Sequence, residues 1–160
     1  MKIFQVLTVW LKIMAILKQN IFYKRFNIKK INSYVIMKKV LVVEDDKDLL
    51  DIYQEILEMN GFEVHTAENG QDGVKKFRET QPSLVIMDGD MPVLNGYDAF
   101  NQIKDINKDA NVIIVTGISE FEPKSQEAIK RGLIKVISKP LGVDQLVDLA
   151  NKYSEIKVQK

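Results

Sequence analysis

The chain has 160 residues, of which 46% are hydrophobic, and this is enough for one domain of ordinary size with a single core. It contains no cysteine, which excludes disulfide bonds and thiolate metal sites and fits a cytoplasmic location. Residues 37–160 carry 16 of the 23 basic residues and all 22 acidic residues, a net charge of −6, so direct binding to nucleic acid is not expected.

Residues 1–36 differ from the rest because they are basic and apolar and contain no acidic residue. Their first 19 positions place polar residues on one narrow side at helical spacing, which predicts an amphipathic helix. One hypothesis is contact with a membrane surface through residues 1–30. The preferred interpretations are a loosely packed tail or sequence upstream of a true start at Met37. We therefore predict an extension at 1–36 and one domain at 37–160.

From Met37 onward, apolar runs alternate with amphipathic stretches. Residues 40–43 predict a first strand, and Asp46 or Asp48 then caps a helix that ends at residues 60–61. Residues 62–66 alternate as an edge strand does, and a helix is predicted over 70–80. The next strand is a buried one, because four apolar residues lead directly to Asp88 at the rim of the sheet.

The second half of this region continues the alternation. We predict a helix around residues 97–103, a strand at 112–116, a polar loop, a short helix at 124–131 with little apolar surface, and a last strand at 133–138. A final helix follows, whose inward-facing residues are predicted to be Val143, Leu146, Val147, Ala150 and Tyr153.

Five strands alternating with five helices predict an α/β fold, with a doubly wound parallel sheet and helices on both faces. In such sheets the ligand site lies beyond the carboxyl ends of the strands. The residues just past those ends are therefore expected to be neighbours, and they are Glu44, Asp45, Asp88, Thr116 and Lys139.

This set of side chains has a defined chemistry. Converging carboxylates repel one another and recruit a hard cation, for which Mg²⁺ is the natural choice in the absence of histidine and cysteine ligands. An aspartate can then act as the nucleophile toward a phosphoryl group and form an aspartyl phosphate. Lys139 supplies a second positive charge, and the Thr116 hydroxyl can donate a hydrogen bond to a phosphoryl oxygen.

Four segments together resemble the receiver domain of two-component response regulators. They are the sequences VLVVEDD ending at Asp46, LVIMDGDMPVLNG around Asp88, VIIVTG around Thr116 and ISKP around Lys139. The resemblance covers about residues 37–155, and the four motifs occur in the family's order. It implies a CheY-like, flavodoxin-like fold with the strand order 2-1-3-4-5.

The resemblance also implies roles for individual residues. Asp88 would be the phosphoacceptor, which receives its phosphoryl group from a histidine kinase or a phosphotransfer protein. Glu44 and Asp45 would hold Mg²⁺ together with Asp88, and the backbone carbonyl of Asp90 would complete the protein ligands.

The remaining positions of the pattern are Thr116, Lys139 and Pro140. Thr116 would sense the phosphoryl group, Lys139 would neutralise its charge, and the Lys139–Pro140 peptide bond is expected to be cis.

Two positions depart from the family pattern. Val136 stands where an aromatic residue usually changes rotamer with the threonine, so the usual switch lacks one half. Asp90 places an additional acid beside the phosphoryl site, and the sign of its effect on phosphoryl lifetime does not follow from the sequence.

The predicted function is a signalling phosphoacceptor rather than an enzyme. Because only 21 residues follow Lys139, we expect a stand-alone regulator whose output is a protein partner, contacted through residues 121–137 and the last helix. One alternative is a pseudo-receiver that binds proteins without phosphorylation. Another is a phosphatase of the haloacid dehalogenase type, since residues 85–90 resemble its nucleophile motif.

Overall fold

The computed structural model describes residues 38–154, which form five strands and five helices in strict alternation. The strands are β1 (Lys39–Val43), β2 (Glu63–Ala67), β3 (Leu84–Asp88), β4 (Val112–Thr116) and β5 (Lys135–Ser138). The helices are α1 (Lys47–Met59), α2 (Gly70–Thr80), α3 (Gly96–Ile106), α4 (Pro123–Lys130) and α5 (Val143–Tyr153). The predicted amphipathic helix in the extension lies outside the described residues, and the boundary at 36/37 stays a prediction.

All strand pairs are parallel, and the order in the sheet is β2-β1-β3-β4-β5, as the resemblance implied. The register aligns the carboxyl ends of the strands. Val43 pairs with Met87, so the next residues, Glu44 and Asp88, leave adjacent strands at the same level. Because neighbouring strands lie about 4.8 Å apart, side chains from these ends meet at one edge.

The core is divided by the sheet into two layers. On one face, Val40 and Val42 pack with α1 and α5, and on the other Leu41 and Val43 pack with α2 and α3. Alternate residues of a strand point to opposite faces, so a continuous apolar run is needed where both faces are covered. The predicted doubly wound arrangement is therefore confirmed.

Three helices begin at side-chain caps. The carboxylate of Asp46 accepts from the backbone N–H of Leu49, and Asn69 and Asn95 cap α2 and α3 in the same way. Such a cap satisfies one of the backbone donors that lack a partner at a helix start. In contrast, α4 starts without a side-chain cap bond, at Pro123.

Some details differ from the sequence predictions. In α5, Val143 was expected to face inward but is 51% exposed, whereas Leu149 is buried. Val143 is the first residue of the helix, where only one side of the first turn faces the sheet. The last strand begins at Lys135 rather than at residue 133.

Among the helices within residues 38–154, none has the length and apolar character needed to cross a bilayer.

Candidate phosphoryl-transfer site

The first part of the site lies directly after β1. Glu44 is 4% exposed, and its backbone N–H donates to the carbonyl of Ala67, which extends the β1–β2 ladder by one residue. Asp45, the next residue, is exposed. Asp46 is the N-cap of α1, so the acid cluster after β1 combines two candidate ligands with a structural cap.

The second part is Asp88, the last residue of β3, which is 2% exposed. Both of its carboxylate oxygens are engaged. The backbone N–H of Asp90 donates to Oδ1 over 3.0 Å, and Lys139 Nζ donates to Oδ2 over 2.7 Å. Lys139 Nζ also lies 3.7 Å from Oε1 of Glu44. The lysine after β5 therefore reaches Asp88 across β4, and Glu44 across β4 and β3.

Glu44, Asp45 and Asp88 form one acidic cluster, in which one carboxylate oxygen from each residue lies within 4.8 Å of the others. Burial raises the pKa of Glu44 from 4.5 to about 7, with a further contribution from the charge of Asp88. A hard divalent cation among these oxygens would neutralise the repulsion, and all three groups are ligands of the type that Mg²⁺ prefers. The residues therefore fit the predicted metal.

Lys139 is held in its charged form by this environment. Burial alone would lower its pKa, but the hydrogen bond to Asp88 and the charge of Glu44 outweigh burial and raise the pKa above the ordinary value. Its backbone N–H donates to the carbonyl of Thr116 over 3.0 Å, and the Lys139–Pro140 peptide bond is cis, as expected.

Thr116 ends β4 and is fully buried, but its hydroxyl partner was not predicted. The hydroxyl donates to Oδ2 of Asp90 over 2.9 Å and accepts from the backbone N–H of Ile118 over 3.1 Å. The sequence analysis predicted that Asp90 lies beside the site through its backbone carbonyl, and it did not assign a role to the side chain. Its position two residues after the acceptor was the only signal for this contact.

Glycines make room for this arrangement in the loop after β3. A Cβ on Gly89 would lie 2.9 Å from the Thr116 hydroxyl oxygen, and a Cβ on Gly96 would overlap the carbonyl oxygen of Asp88. The N–H of Gly96 donates to the carbonyl of Gly89 over 3.1 Å, which closes the loop. The start of α3 is thereby packed directly against the backbone of the candidate acceptor.

A buried polar contact links α3 to α4 on the same side of the sheet. Tyr97 donates or accepts a 2.8 Å hydrogen bond with the hydroxyl of Ser125, and Lys124 Nζ lies 4.3 Å from the centre of the tyrosine ring. Val136, which the sequence analysis singled out as a departure from the family pattern, is buried in the same cluster as Tyr97. The sequence did not predict this contact, because the two residues lie on different helices whose spacing is set by tertiary packing.

Comparisons with known proteins agree with this architecture. Residues 40–151 match the family model described as the response regulator receiver domain. The chain is 34% identical over 119 residues to a chemotaxis protein CheY of Thermotoga maritima, and the match covers 74% of this chain and 98% of that protein.

Two solved structures show the same fold with bound groups. The response regulator TrrA of Thermotoga maritima, in complex with Mg²⁺ and BeF, has 32% identity and a TM-score of 0.64, covering 73% of this chain and 99% of TrrA. The CheX–CheY–BeF3–Mg complex of Borrelia burgdorferi matches with 25% identity and a TM-score of 0.63, over 69% of this chain and 84% of that one.

Proposed function

This chain belongs to the response regulator receiver family, a family of signalling domains, and we propose that it is a Mg²⁺-dependent phosphoacceptor of a two-component pathway. In this proposal Asp88 takes a phosphoryl group from the phosphohistidine of a histidine kinase or phosphotransfer protein. The observation that carries it is the environment of Asp88, a buried carboxylate at a strand end with a lysine on one oxygen and two further acids beside it.

The proposed reaction is an in-line displacement at phosphorus. A carboxylate oxygen of Asp88 forms the new O–P bond as the P–N bond to the donor imidazole breaks, and the electron pair stays on the imidazole. Lys139, 2.7 Å from the carboxylate, would stabilise the negative charge that gathers on the transferring oxygens. The hydrogen bond from the N–H of Asp90 keeps the carboxylate in a fixed orientation for attack.

The acidic cluster would hold the metal that this reaction needs. We assign Glu44, Asp45 and Asp88 as its carboxylate ligands, together with the backbone carbonyl of Asp90. Bound Mg²⁺ would supply positive charge to the phosphoryl oxygens. The raised pKa of Glu44 supports this assignment, because an acid that is costly to ionise alone becomes favourable to ionise beside a cation.

The proposed output is a change of surface around β4 and β5 that a protein partner recognises. Thr116 and Lys139 leave these strands beside the acceptor, and the loop and helix that follow β4 adjoin them. Phe121 in that loop is 79% exposed, so its side chain is accessible to a partner. We therefore assign residues 121–137 and α5 as the partner surface. In this proposal the buried Val136 does not act as a rotamer switch.

The phosphatase alternative is not retained, since the receiver-family match spans the whole described domain from residue 40 to residue 151. The pseudo-receiver alternative loses support because Asp88, Lys139 and the metal acids are all present and in contact.

Intact-mass measurement after incubation with Mg²⁺ and acetyl phosphate tests the proposal. We expect one phosphoryl adduct on the wild type, no adduct when EDTA removes the metal, and none on Asp88→Asn. Asp105→Asn, which alters an exposed acid in α3, is the matched control and should behave as wild type. An unmodified wild type would overturn the proposal in favour of a pseudo-receiver, and steady release of phosphate from unrelated phosphomonoesters would favour a phosphatase.

A further inference from the structure

The Thr116 hydroxyl has one proton to donate, and the structure shows where it goes. It donates to Oδ2 of Asp90 over 2.9 Å, while the hydroxyl oxygen accepts from the N–H of Ile118. Thr116 is fully buried, and Asp90 is an exposed carboxylate at the mouth of the site. A hydroxyl bonded to a carboxylate is in a charge-assisted hydrogen bond, which is stronger than one between neutral groups.

Asp90 contacts the site through two separate parts. Its backbone N–H donates to Oδ1 of Asp88, and its side chain accepts from Thr116. The backbone contact would survive any substitution except proline, whereas the side-chain contact depends on the carboxylate. The two contributions can therefore be separated by mutation.

We propose that Asp90 is a positioning residue, whose carboxylate holds the Thr116 hydroxyl in the unphosphorylated protein and competes with the phosphoryl group for its proton. This inference rests on the proposed function, because it assumes that a phosphoryl group on Asp88 accepts a hydrogen bond from Thr116. When that group arrives, it brings additional negative charge beside the Asp90 carboxylate. The repulsion favours release of the hydroxyl by Asp90 and its transfer to a phosphoryl oxygen.

This competition determines how tightly the protein binds a phosphoryl-like ligand. Binding must break the Asp90–Thr116 hydrogen bond before the ligand gains its own bond to Thr116, so the apparent affinity is reduced by the stability of the first bond. Removing the carboxylate should therefore tighten binding of a phosphoryl mimic, but only while the Thr116 hydroxyl is present.

Simple charge repulsion makes a different prediction. An acid near an anionic ligand weakens binding even without a shared proton, and this effect would be the same whether residue 116 carries a hydroxyl or a methyl group. A double-mutant cycle between the two residues separates the two explanations, because it isolates the term that depends on both side chains.

The test measures the affinity for beryllium fluoride by calorimetry at saturating Mg²⁺ for wild type, Asp90→Ala, Thr116→Val and the double variant. Alanine keeps the backbone N–H and carbonyl of residue 90, and valine keeps the shape of threonine. We expect Asp90→Ala to bind about tenfold more tightly than wild type, from the loss of one charge-assisted hydrogen bond in competition. The gain should be several-fold smaller in the Thr116→Val background, where charge repulsion remains but no proton is contested.

Asp90→Asn serves as the conservative variant, because its amide oxygen still accepts from Thr116 without the negative charge. Its affinity should lie between those of wild type and Asp90→Ala. Equal gains from Asp90→Ala in both backgrounds would overturn the inference and leave charge repulsion. Failure of the wild type to bind beryllium fluoride at all would instead contradict the proposed function itself.

A second measurement keeps the inference testable if Thr116→Val does not fold. The ¹³C shift of the Thr116 methyl group reports the environment of the adjacent hydroxyl in the ligand-free protein. Asp90→Ala should move this resonance away from its wild-type position, toward the position seen with beryllium fluoride and Mg²⁺. A methyl resonance that Asp90→Ala leaves in place would show that the carboxylate does not hold Thr116.

Discussion

Replacement of Glu44 by glutamine tests the electrostatics of the acidic cluster in the metal-free protein. Glu44 is buried beside Asp88, and its pKa is raised from 4.5 to about 7, first by burial and second by the Asp88 charge. Glutamine has nearly the same size but carries no charge at any pH. The substitution therefore removes the cost of ionising residue 44 and leaves the packing almost unchanged.

The size of the effect on stability follows from the shift in the pKa of Glu44. One pKa unit corresponds to about 1.4 kcal/mol, so a rise from 4.5 to about 7 amounts to roughly 3 kcal/mol. The folded protein binds the proton more tightly than the unfolded chain, so the stabilisation from the protonated acid is complete below pH 4.5. It is lost as pH rises through about 7, and the free energy of unfolding of the wild type should fall over this range.

The assay is urea unfolding of EDTA-treated protein between pH 4.5 and pH 8.5. Relative to wild type, Glu44→Gln should gain about 2 to 3 kcal/mol in unfolding free energy across this range. Glu55→Gln, which alters an exposed acid in α1, should show no such gain. If the difference in unfolding free energy between wild type and Glu44→Gln stays constant with pH, the prediction is wrong, because residue 44 then does not titrate in the pH range of the assay.

Three further changes probe the site and its supports. Lys139→Met should slow phosphoryl acceptance by about 100-fold at constant Mg²⁺, because within residues 38–154 no other side chain donates to Oδ2 of Asp88. Unchanged kinetics by intact mass would remove the lysine from the proposal. Gly96→Ala should lower the unfolding free energy by at least about 2 kcal/mol, because the added methyl group would overlap the backbone carbonyl of Asp88. Gly117→Ala adds a methyl group in open space and should change the unfolding free energy by less than about 1 kcal/mol. Equal losses from the two substitutions would contradict the packing of the loop. Tyr97→Phe and Ser125→Ala should each lower the unfolding free energy, measured with urea, by about 1 to 2 kcal/mol. The double variant should lose less than the sum of the two single losses. Strictly additive losses would show that the two hydroxyls do not interact.

The fold and the proximity of the side chains at the strand ends were predictable because both depend on local sequence patterns. Apolar runs such as Val40–Val43 form buried parallel strands, and the residue after each run leaves the sheet at the same edge. That rule brought Glu44, Asp88 and Lys139 together from three distant segments. The cap of α1 was narrowed to Asp46 or Asp48, because a cap depends on its own first turn, and the structure shows that it is Asp46.

Contacts that depend on side-chain direction were not predictable. The Thr116 hydroxyl was expected to donate to a phosphoryl oxygen, and its hydrogen bond to the Asp90 side chain was not foreseen, because a residue's place after a strand does not fix the rotamer of its side chain. The Tyr97–Ser125 hydrogen bond is equally hidden, because its residues belong to different helices whose separation is fixed by tertiary packing. Val143 was misjudged because periodicity gives a helix face but not the turn at which that face meets the sheet.

Reductive trapping identifies the residue that carries the phosphoryl group. An acyl phosphate on aspartate is reduced by borohydride to homoserine, so the modified residue can be located by peptide mass spectrometry after treatment with acetyl phosphate and Mg²⁺. We predict homoserine at residue 88 in the wild type and at no other acid of the cluster. Homoserine at residue 45 or residue 90, with Asp88 intact, would contradict the assignment of Asp88 as the nucleophile.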